Sequence, residues 1–158
     1  MIRIGQGYDI HRFATGRPLV LGGYELKDAP KGLEGHSDAD ALVHAVIDAI
    51  LGALALGDIG KWFPDTDEEW HGASGKKLMD HVLQAFQTSG WRIVNVDSTV
   101  VTQAPKLSPH IFEIRRSLAN LLKIDVENVS VKAKTKEGLD AVGAGVALEA
   151  QAVVLMER

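Results

Sequence analysis

Apolar residues alternate at the start of the chain, with Ile2, Ile4, Tyr8 and Ile10 at even positions. Residues 2–11 therefore predict a strand. Pro18–Gly23 (PLVLGG) predicts a second strand closing on a glycine turn. The period then changes. Leu42, Ala45, Val46, Ala49, Ile50 and Ala53 recur at helical spacing. Ser37 suits the N-cap of that helix, Asp40 sits three residues on as in a capping box, and Gly57 ends it after Leu56. Gly57–Gly72 (GDIGKWFPDTDEEWHG) is rich in Gly, Pro and Asp and predicts a loop. Ser74–Ser89 predicts a second helix, and the alternating, β-branched Trp91–Val101 a strand. Thr102–Pro109 holds two prolines and predicts a loop, followed by a helix over Pro109–Lys123. Asn128–Thr135 and Val146–Met156 predict strands joined by the glycine-containing loop Lys136–Gly145. The order predicts an α/β or α+β sandwich: one four- to five-stranded mixed sheet with helices packed on one face.

No repeat or linker divides the 158 residues, so residues 1–158 predict a single domain. Hydrophobic residues at 46% and charged residues at 24% exclude wholesale disorder. The net charge of −4 argues against a nucleic-acid partner. The longest apolar run, Ala49–Leu56, is far short of the ~20 residues of a membrane helix, so no membrane partner is expected. Residues 1–13 carry charges within their apolar stretch, unlike a signal peptide, and no transit peptide is expected. A cytoplasmic location is the expectation, or a plastid-type stroma after processing. Cysteine is absent, so any metal must rest on His, Asp and Glu. From Glu34 to Trp70, counting Glu34, there are nine acids and one base, Lys61, so the acidity is local.

Several groups in this pattern can carry chemistry. Asp9 and His11 lie two apart on a strand, so their side chains share a face and suit a Zn²⁺-like ion. Asp40, His44 and Asp48 share one stripe at i, i+4, i+8, which offers His44 as a third ligand with a carboxylate one turn away to orient its ring. The same stripe also reads as a capped helix with a solvated acidic face. Asp9, His11 and His44 together have the three-ligand, open-position pattern of a working metal site. Asp58-Ile59-Gly60 and Phe63-Pro64-Asp65-Thr66-Asp67 can bind metal or substrate hydroxyls, or can be a solvated turn. Thr102-Gln103-Ala104-Pro105-Lys106 can wrap a ligand, and Lys132, Lys134 and Lys136 form a basic row that suits phosphates or solvent. Gly5-Gln6-Gly7 is no dinucleotide fingerprint, because Ile10 stands where the final glycine belongs. His71, His81 and His110 lack partner spacing and read as surface residues.

Taken in order, GQGYDIHRF, LGG, GLEGHSDADALVHAVIDAILGALALGDIGKWFPDTD, DSTVVTQAPKLSPH and VSVKAKTKEGL resemble the 2-C-methyl-D-erythritol 2,4-cyclodiphosphate synthase family of the non-mevalonate isoprenoid route. The resemblance implies a homotrimer with active sites between subunits. It implies conversion of 4-diphosphocytidyl-2-C-methyl-D-erythritol 2-phosphate into the cyclic diphosphate and CMP, by attack of the 2-phosphate on the β-phosphorus. It places Zn²⁺ on Asp9, His11 and His44, with Asp40 and Asp48 behind them, and Mg²⁺ or Mn²⁺ on the diphosphate, held by Glu137. His36 and Thr135 match catalytic positions. Asp9, Ile10, His11, His36, Ser37, Asp58, Ile59, Gly60, Phe63, Pro64, Asp65, Thr66 and Asp67 match the methylerythritol-phosphate pocket. Thr102, Gln103, Ala104, Pro105, Lys106, Leu107 and Ser108, with Lys134, Thr135, Lys136 and Glu137, match the cytidine and diphosphate pocket. The chain departs from the family in the loop after Glu137, where Ala144 replaces the arginine of a GRGEG-type segment. A metal-dependent phosphohydrolase would need the same ligands but give linear products, and a non-catalytic nucleotide-binding trimer would bind CMP without turnover.

Overall fold

The computed structural model describes residues 1–158, apart from the side chain of Gln87. Strand β1 (Ile2–Ala14) is followed by β2 (Val20–Leu21), β3 (Tyr24–Glu25) and β4 (Gly32–Leu33), then helix α1 (Ala41–Ala53). The short helix α2 (Ile59–Trp62) and a 3₁₀ turn over Glu68–Trp70 precede α3 (Gly75–Phe86). The remainder is β5 (Arg92–Val101), α4 (Ile111–Leu122), β6 (Val129–Lys134), the short α5 (Asp140–Gly143) and β7 (Ala147–Glu157). Five strands form one sheet in the order β4-β1-β7-β5-β6, with β5 and β6 parallel and the other pairs antiparallel. The expected mixed sheet is therefore present, and α1 packs on the inner face of β1 and β7.

The strand pattern decides what faces the helices. Along β1 the odd positions Gly5, Gly7, Asp9 and His11 point inward, and Ile2, Ile4, Tyr8 and Ile10 point outward. Gly5 and Gly7 are where α1 touches the sheet. A Cβ on Gly7 would stand 1.9 Å from the Ala45 carbonyl oxygen, and one on Gly5 1.9 Å from that of Ala49. The two glycines rejected as a nucleotide motif are thus contact points that bring α1 against β1.

Helix α1 begins later than predicted, and its cap is different. Asp40 is the N-cap; its carboxylate accepts from the Val43 N–H at 3.0 Å. Ser37 lies outside the helix, where its hydroxyl accepts from the Ala39 N–H. The same Asp40 carboxylate accepts from Gly22 and Gly23 in the β2–β3 turn at 2.9 and 2.7 Å. Both glycines have positive φ, as a two-residue hairpin turn of the primed type requires. One buried side chain therefore caps α1 and pins the hairpin. Nearly every side chain of α1 is buried, Leu42, Ile47, Ile50 and Leu51 completely, so of the two readings of the stripe the solvated acidic face is not met: Asp40 is buried and only Asp48 is partly exposed. A helix buried along almost its whole length shows a weak amphipathic pattern, so helical spacing does not separate the buried Asp40 from a polar stripe.

The predicted 57–72 loop is also more ordered, because Asp58 and Asp67 cap the two short helical turns inside it. Among the described residues no helix is long and apolar enough to cross a membrane.

Candidate metal centre and substrate pocket

The end of β1 and the first turn of α1 bring three side chains to one point. Asp9 Oδ2 lies 2.8 Å from His11 Nε2 and 3.0 Å from His44 Nδ1, and the two ring nitrogens are 3.3 Å apart. Metal–ligand bonds of about 2.0–2.1 Å in a tetrahedron set ligand atoms about 3.3 Å apart, so the three atoms need open only slightly to hold Zn²⁺. Among the described residues this is the one group of three or more His, Cys, Asp or Glu found to converge in this way.

Neighbouring groups fix which ring nitrogens face inward. His11 Nδ1 lies 2.7 Å from the Glu34 carbonyl oxygen, to which it donates, leaving Nε2 for the cluster. His44 Nε2 lies 3.2 Å from the Ser37 hydroxyl oxygen, which leaves Nδ1 for the cluster. Three lone-pair-bearing atoms then face one another and require a shared cation or proton. The same conflict acts on acidity. Burial would raise Asp9, but hydrogen bonds from His11 and His44 and their charge outweigh it and hold Asp9 at about 2. Burial would lower His11, yet the hydrogen bond to Asp9 and its charge win and raise it.

The ligand set predicted from the sequence is assembled, but the residues behind it are not as predicted. Asp40 is committed to the backbone N–H groups of Gly22, Gly23 and Val43. Asp48 accepts from the Ile59 N–H at 2.7 Å, so it anchors the start of α2. The polar partners of His44 in the structure are Asp9, His11 and Ser37. Ser37 takes the orienting role expected of a carboxylate one turn away. Helical spacing alone cannot show it, since Ser37 reaches His44 from the loop before the helix.

A cavity of about 280 Å³ opens from the three ligands. His36 and Ser37 line one side, and Ile59, Gly60, Phe63, Pro64, Asp65 and Asp67 line the other. Most of the predicted methylerythritol loop therefore does meet the ligand set. His36 is exposed, with Nε2 3.8 Å from Asp65 Oδ2 across the opening. The buried Phe63 holds the loop, packing edge-on against Trp70 at 4.7 Å and His81 at 5.7 Å. Asp58 and Thr66 are not among the lining residues; Asp58 instead caps α2 by accepting from the Lys61 N–H. Ile10 also departs from expectation: its side chain is on the outer face of the sheet, away from Asp9 and His11. His71 and Trp70 line the cavity as well, and no spacing in the sequence singles them out.

The remaining predicted residues form a second group elsewhere. The Thr102 N–H donates to the Lys134 carbonyl oxygen, and Gln103 Oε1 accepts from the Gly138 N–H. The peptide bond between Ala104 and Pro105 is cis. The Thr135 hydroxyl donates to Glu137 Oε1 at 2.9 Å. Lys106, Ser108 and Lys134 are exposed, while Leu107 belongs to the core. The basic row is partly spent, because Lys132 pairs with Asp97 and Lys136 with Glu149. Asp9 is aligned with Ala150, Ala150 with Val100, and Val100 with Ala133. Three strand spacings, about 14 Å, thus separate the ligand strand from β6 within one chain.

The profile of the YgbB family matches residues 2–157. A 2-C-methyl-D-erythritol 2,4-cyclodiphosphate synthase of Chromobacterium violaceum is 54% identical over 156 residues, covering 99% of this chain and 98% of its own. The same-named protein of Clostridioides difficile is 48% identical over 155 residues, 98% of this chain and 96% of its own. A solved structure of 2C-methyl-D-erythritol-2,4-cyclodiphosphate synthase, in a form with CDP bound, superposes with a TM-score of 0.90 at 37% identity over 98% of this chain and 100% of that one. The bifunctional IspDF of Campylobacter jejuni superposes with a TM-score of 0.93 at 35% identity over 99% of this chain, which spans 42% of that longer protein. With the Asp-His-His cluster in place and near-complete coverage of such relatives, the chain belongs to the YgbB family.

Proposed function

We infer that this protein is a 2-C-methyl-D-erythritol 2,4-cyclodiphosphate synthase. The observation that carries the reading is the convergence of Asp9, His11 and His44 on the cavity closed by Phe63, Asp65 and Asp67. A phosphate of 4-diphosphocytidyl-2-C-methyl-D-erythritol 2-phosphate enters that cavity and its hydroxyls meet the acidic loop. An oxygen of the 2-phosphate forms a bond to the β-phosphorus. The bond from that phosphorus to the oxygen bridging to the α-phosphate breaks, and CMP leaves with that oxygen and the electron pair.

The reaction joins two anions, so most of its barrier is repulsion and misalignment. Asp9, His11 and His44 would hold Zn²⁺ and Glu137 would hold Mg²⁺ or Mn²⁺, and these ions would supply charge neutralisation and orientation. This chain's residues do the rest. His36 at the cavity mouth donates to a phosphate oxygen as charge moves, and the Thr135 hydroxyl turns from Glu137 Oε1 to do the same. The Asp58–Asp67 loop fixes the methylerythritol, and positioning of this kind is worth about 7–11 kcal/mol when geometry is near attack. Thr102–Ser108 and the 134–137 segment receive the cytidine and diphosphate. Lys136 contributes its backbone there, since its ammonium is paired with Glu149.

A homotrimer completes the site. The ligand strand and β6, which leads into the Thr135–Glu137 turn, are three strand spacings apart in one sheet, about 14 Å, which favours a site to which two copies contribute. The outer sheet face supports this, because Ile2 and Ile4 are 69% and 70% exposed, and Ile10 and Val153 are exposed beside them. The test is incubation of the zinc-loaded protein with the cytidine diphospho-sugar phosphate and Mg²⁺, followed by phosphorus NMR. Cyclic diphosphate and CMP are the expected products; linear products would assign a phosphohydrolase, and CMP binding without turnover a non-catalytic protein.

A further inference from the structure

We propose that Tyr8, Glu149 and Lys136 form a strut across the outer face of the sheet that positions Thr135 and Glu137, Lys136 and Glu149 acting as positioning residues. This rests on the cyclodiphosphate synthase reading and names side chains which that reading leaves without a role.

The strut is unusual in its placement. Glu149 lies in β7 opposite Ile10 of β1, on the sheet face that α1, α3 and α4 do not cover. It is nevertheless 6% exposed. Helix α5 folds over that end of the sheet, where Val142 packs with Val101 and Ala147. A buried carboxylate needs partners for both oxygens. The Tyr8 hydroxyl donates to Oε2 at 3.1 Å, and the Lys136 ammonium donates to Oε1. Asp140 Oδ2 lies 3.7 Å from the same ammonium.

Each end of the strut is one residue from the proposed chemistry. Tyr8 precedes Asp9, with its side chain on the opposite face of β1. Lys136 stands between Thr135 and Glu137, and its carbonyl accepts from the Leu139 N–H at 2.9 Å. That closes a turn whose central residues, Glu137 and Gly138, have φ of 53° and 74°. Glu137 thus adopts a left-handed conformation that residues with a Cβ rarely take. Thr135 and Glu137 are joined to each other on one side of the turn, while Lys136 is drawn to the sheet on the other. Holding Lys136 fixes where the Glu137 carboxylate stands; of the two carboxylate partners of Lys136, Glu149 is the nearer and the buried one, with Asp140 at 3.7 Å.

Glu149→Gln keeps the shape and removes the charge that holds Lys136. The expected result is at least a tenfold rise in the Mg²⁺ concentration for half-maximal turnover and a tenfold fall in kcat. Zinc stoichiometry and the KM for substrate at saturating Mg²⁺ stay within twofold. Hydrogen exchange in the 135–140 segment, read by mass spectrometry without substrate, accelerates at least tenfold. Lys136→Met reproduces these changes, Lys136→Arg restores them to within threefold, and the Lys136→Met/Glu149→Gln pair is no worse than either alone. Should Glu149→Gln fail to fold, Lys136→Met/Glu149→Met carries the same test without a buried lone charge. Unchanged exchange overturns the strut, and faster exchange with unchanged Mg²⁺ dependence overturns its positioning role. Absence of cyclic product from the unsubstituted protein would instead overturn the synthase reading, and the exchange measurement would still decide whether the strut exists.

Discussion

Gly7 of β1 lies under Ala45 of α1 so closely that a Cβ on the glycine would stand 1.9 Å from the Ala45 carbonyl oxygen. No side chain can yield there, because the obstacle is helix backbone. Gly7 also lies two residues before Asp9, and Ala45 follows His44, so this contact sets the gap between two of the three ligand-bearing positions. Gly7→Ala is expected to move α1 outward, to destabilise the fold by about 3 kcal/mol, the upper end for an overpacked core site, and to lower zinc content below one ion per protomer. Urea unfolding and atomic absorption check both. Ala at Gly52, where the nearest heavy atom is 3.8 Å from the added Cβ, provides the control and should cost nothing measurable in zinc.

Asp48 lies in α1 one turn after His44, yet its carboxylate serves the Ile59 N–H at 2.7 Å. Asp48→Ala removes the acceptor that anchors α2 and the loop carrying Gly60, Phe63 and Asp65. The expected outcome is a rise in KM for the cytidine diphospho-sugar phosphate of about tenfold, equal to roughly 1.4 kcal/mol of lost positioning, with zinc retained. Steady-state kinetics and metal analysis of one preparation distinguish this from a ligand role, in which zinc would leave.

These two relationships show what the linear pattern could carry. Asp9 and His11 were legible because strand periodicity is two, and two residues suffice to show it. The long strands and helices α3 and α4 were legible for the same reason: a half-buried element repeats its environment along its own axis. Helix α1 broke that logic. Buried along almost its whole length, it leaves only Asp48 and Gly52 open to solvent, so spacing alone groups Asp40 and Asp48 with His44, although one caps the helix and the other holds a loop. Gly5 and Gly7 were legible only as an incomplete motif, since a close approach between elements leaves no periodic trace. The Lys136–Glu149 pair joins residues 13 apart through the sheet face, and nothing in either local sequence points to the other.

The zinc centre predicts a pH dependence with a definite sign. In the metal-free protein the pairing with Asp9 raises His11, while His11 and His44 hold Asp9 at about 2. A raised histidine contributes stability that is complete below its ordinary value of about 6.5 and is lost as pH rises through the folded value. A depressed aspartate contributes stability that is complete above about 4 and is lost as pH falls towards 2. The two overlap between about pH 4 and 6.5. Thermal unfolding of metal-free protein should show its largest deficit for Asp9→Asn near pH 5 and a shrinking one towards pH 8.5. Zinc must displace the His11 proton, so its apparent affinity should fall about tenfold per pH unit below the raised value. Competition with a chromophoric chelator measures that slope, and a flat profile would exclude His11 as a ligand.

Arg17 offers the last test, from behind the Gly35–Ser37 segment that lines the cavity. Its guanidinium donates through Nη1 to the Gly35 carbonyl oxygen at 3.0 Å and through Nη2 to that of Ser37 at 2.6 Å. The two carbonyls flank His36, whose exposed ring stands 3.8 Å from Asp65 Oδ2. Holding the backbone on both sides is therefore the means by which an exposed ring keeps a fixed origin. The same brace holds Ser37, whose hydroxyl meets His44 Nε2. Arg17→Lys supplies one ammonium in place of a two-pronged donor and cannot bridge two carbonyls in a fixed plane. Both Arg17→Lys and Arg17→Met are expected to lower kcat by about tenfold to a hundredfold, roughly 1.4–2.8 kcal/mol of transition-state stabilisation. If Arg17 acts through His36, then in a His36→Ala background Arg17→Met should cost less than threefold further. An undiminished second loss in that background would show that Arg17 meets the substrate directly.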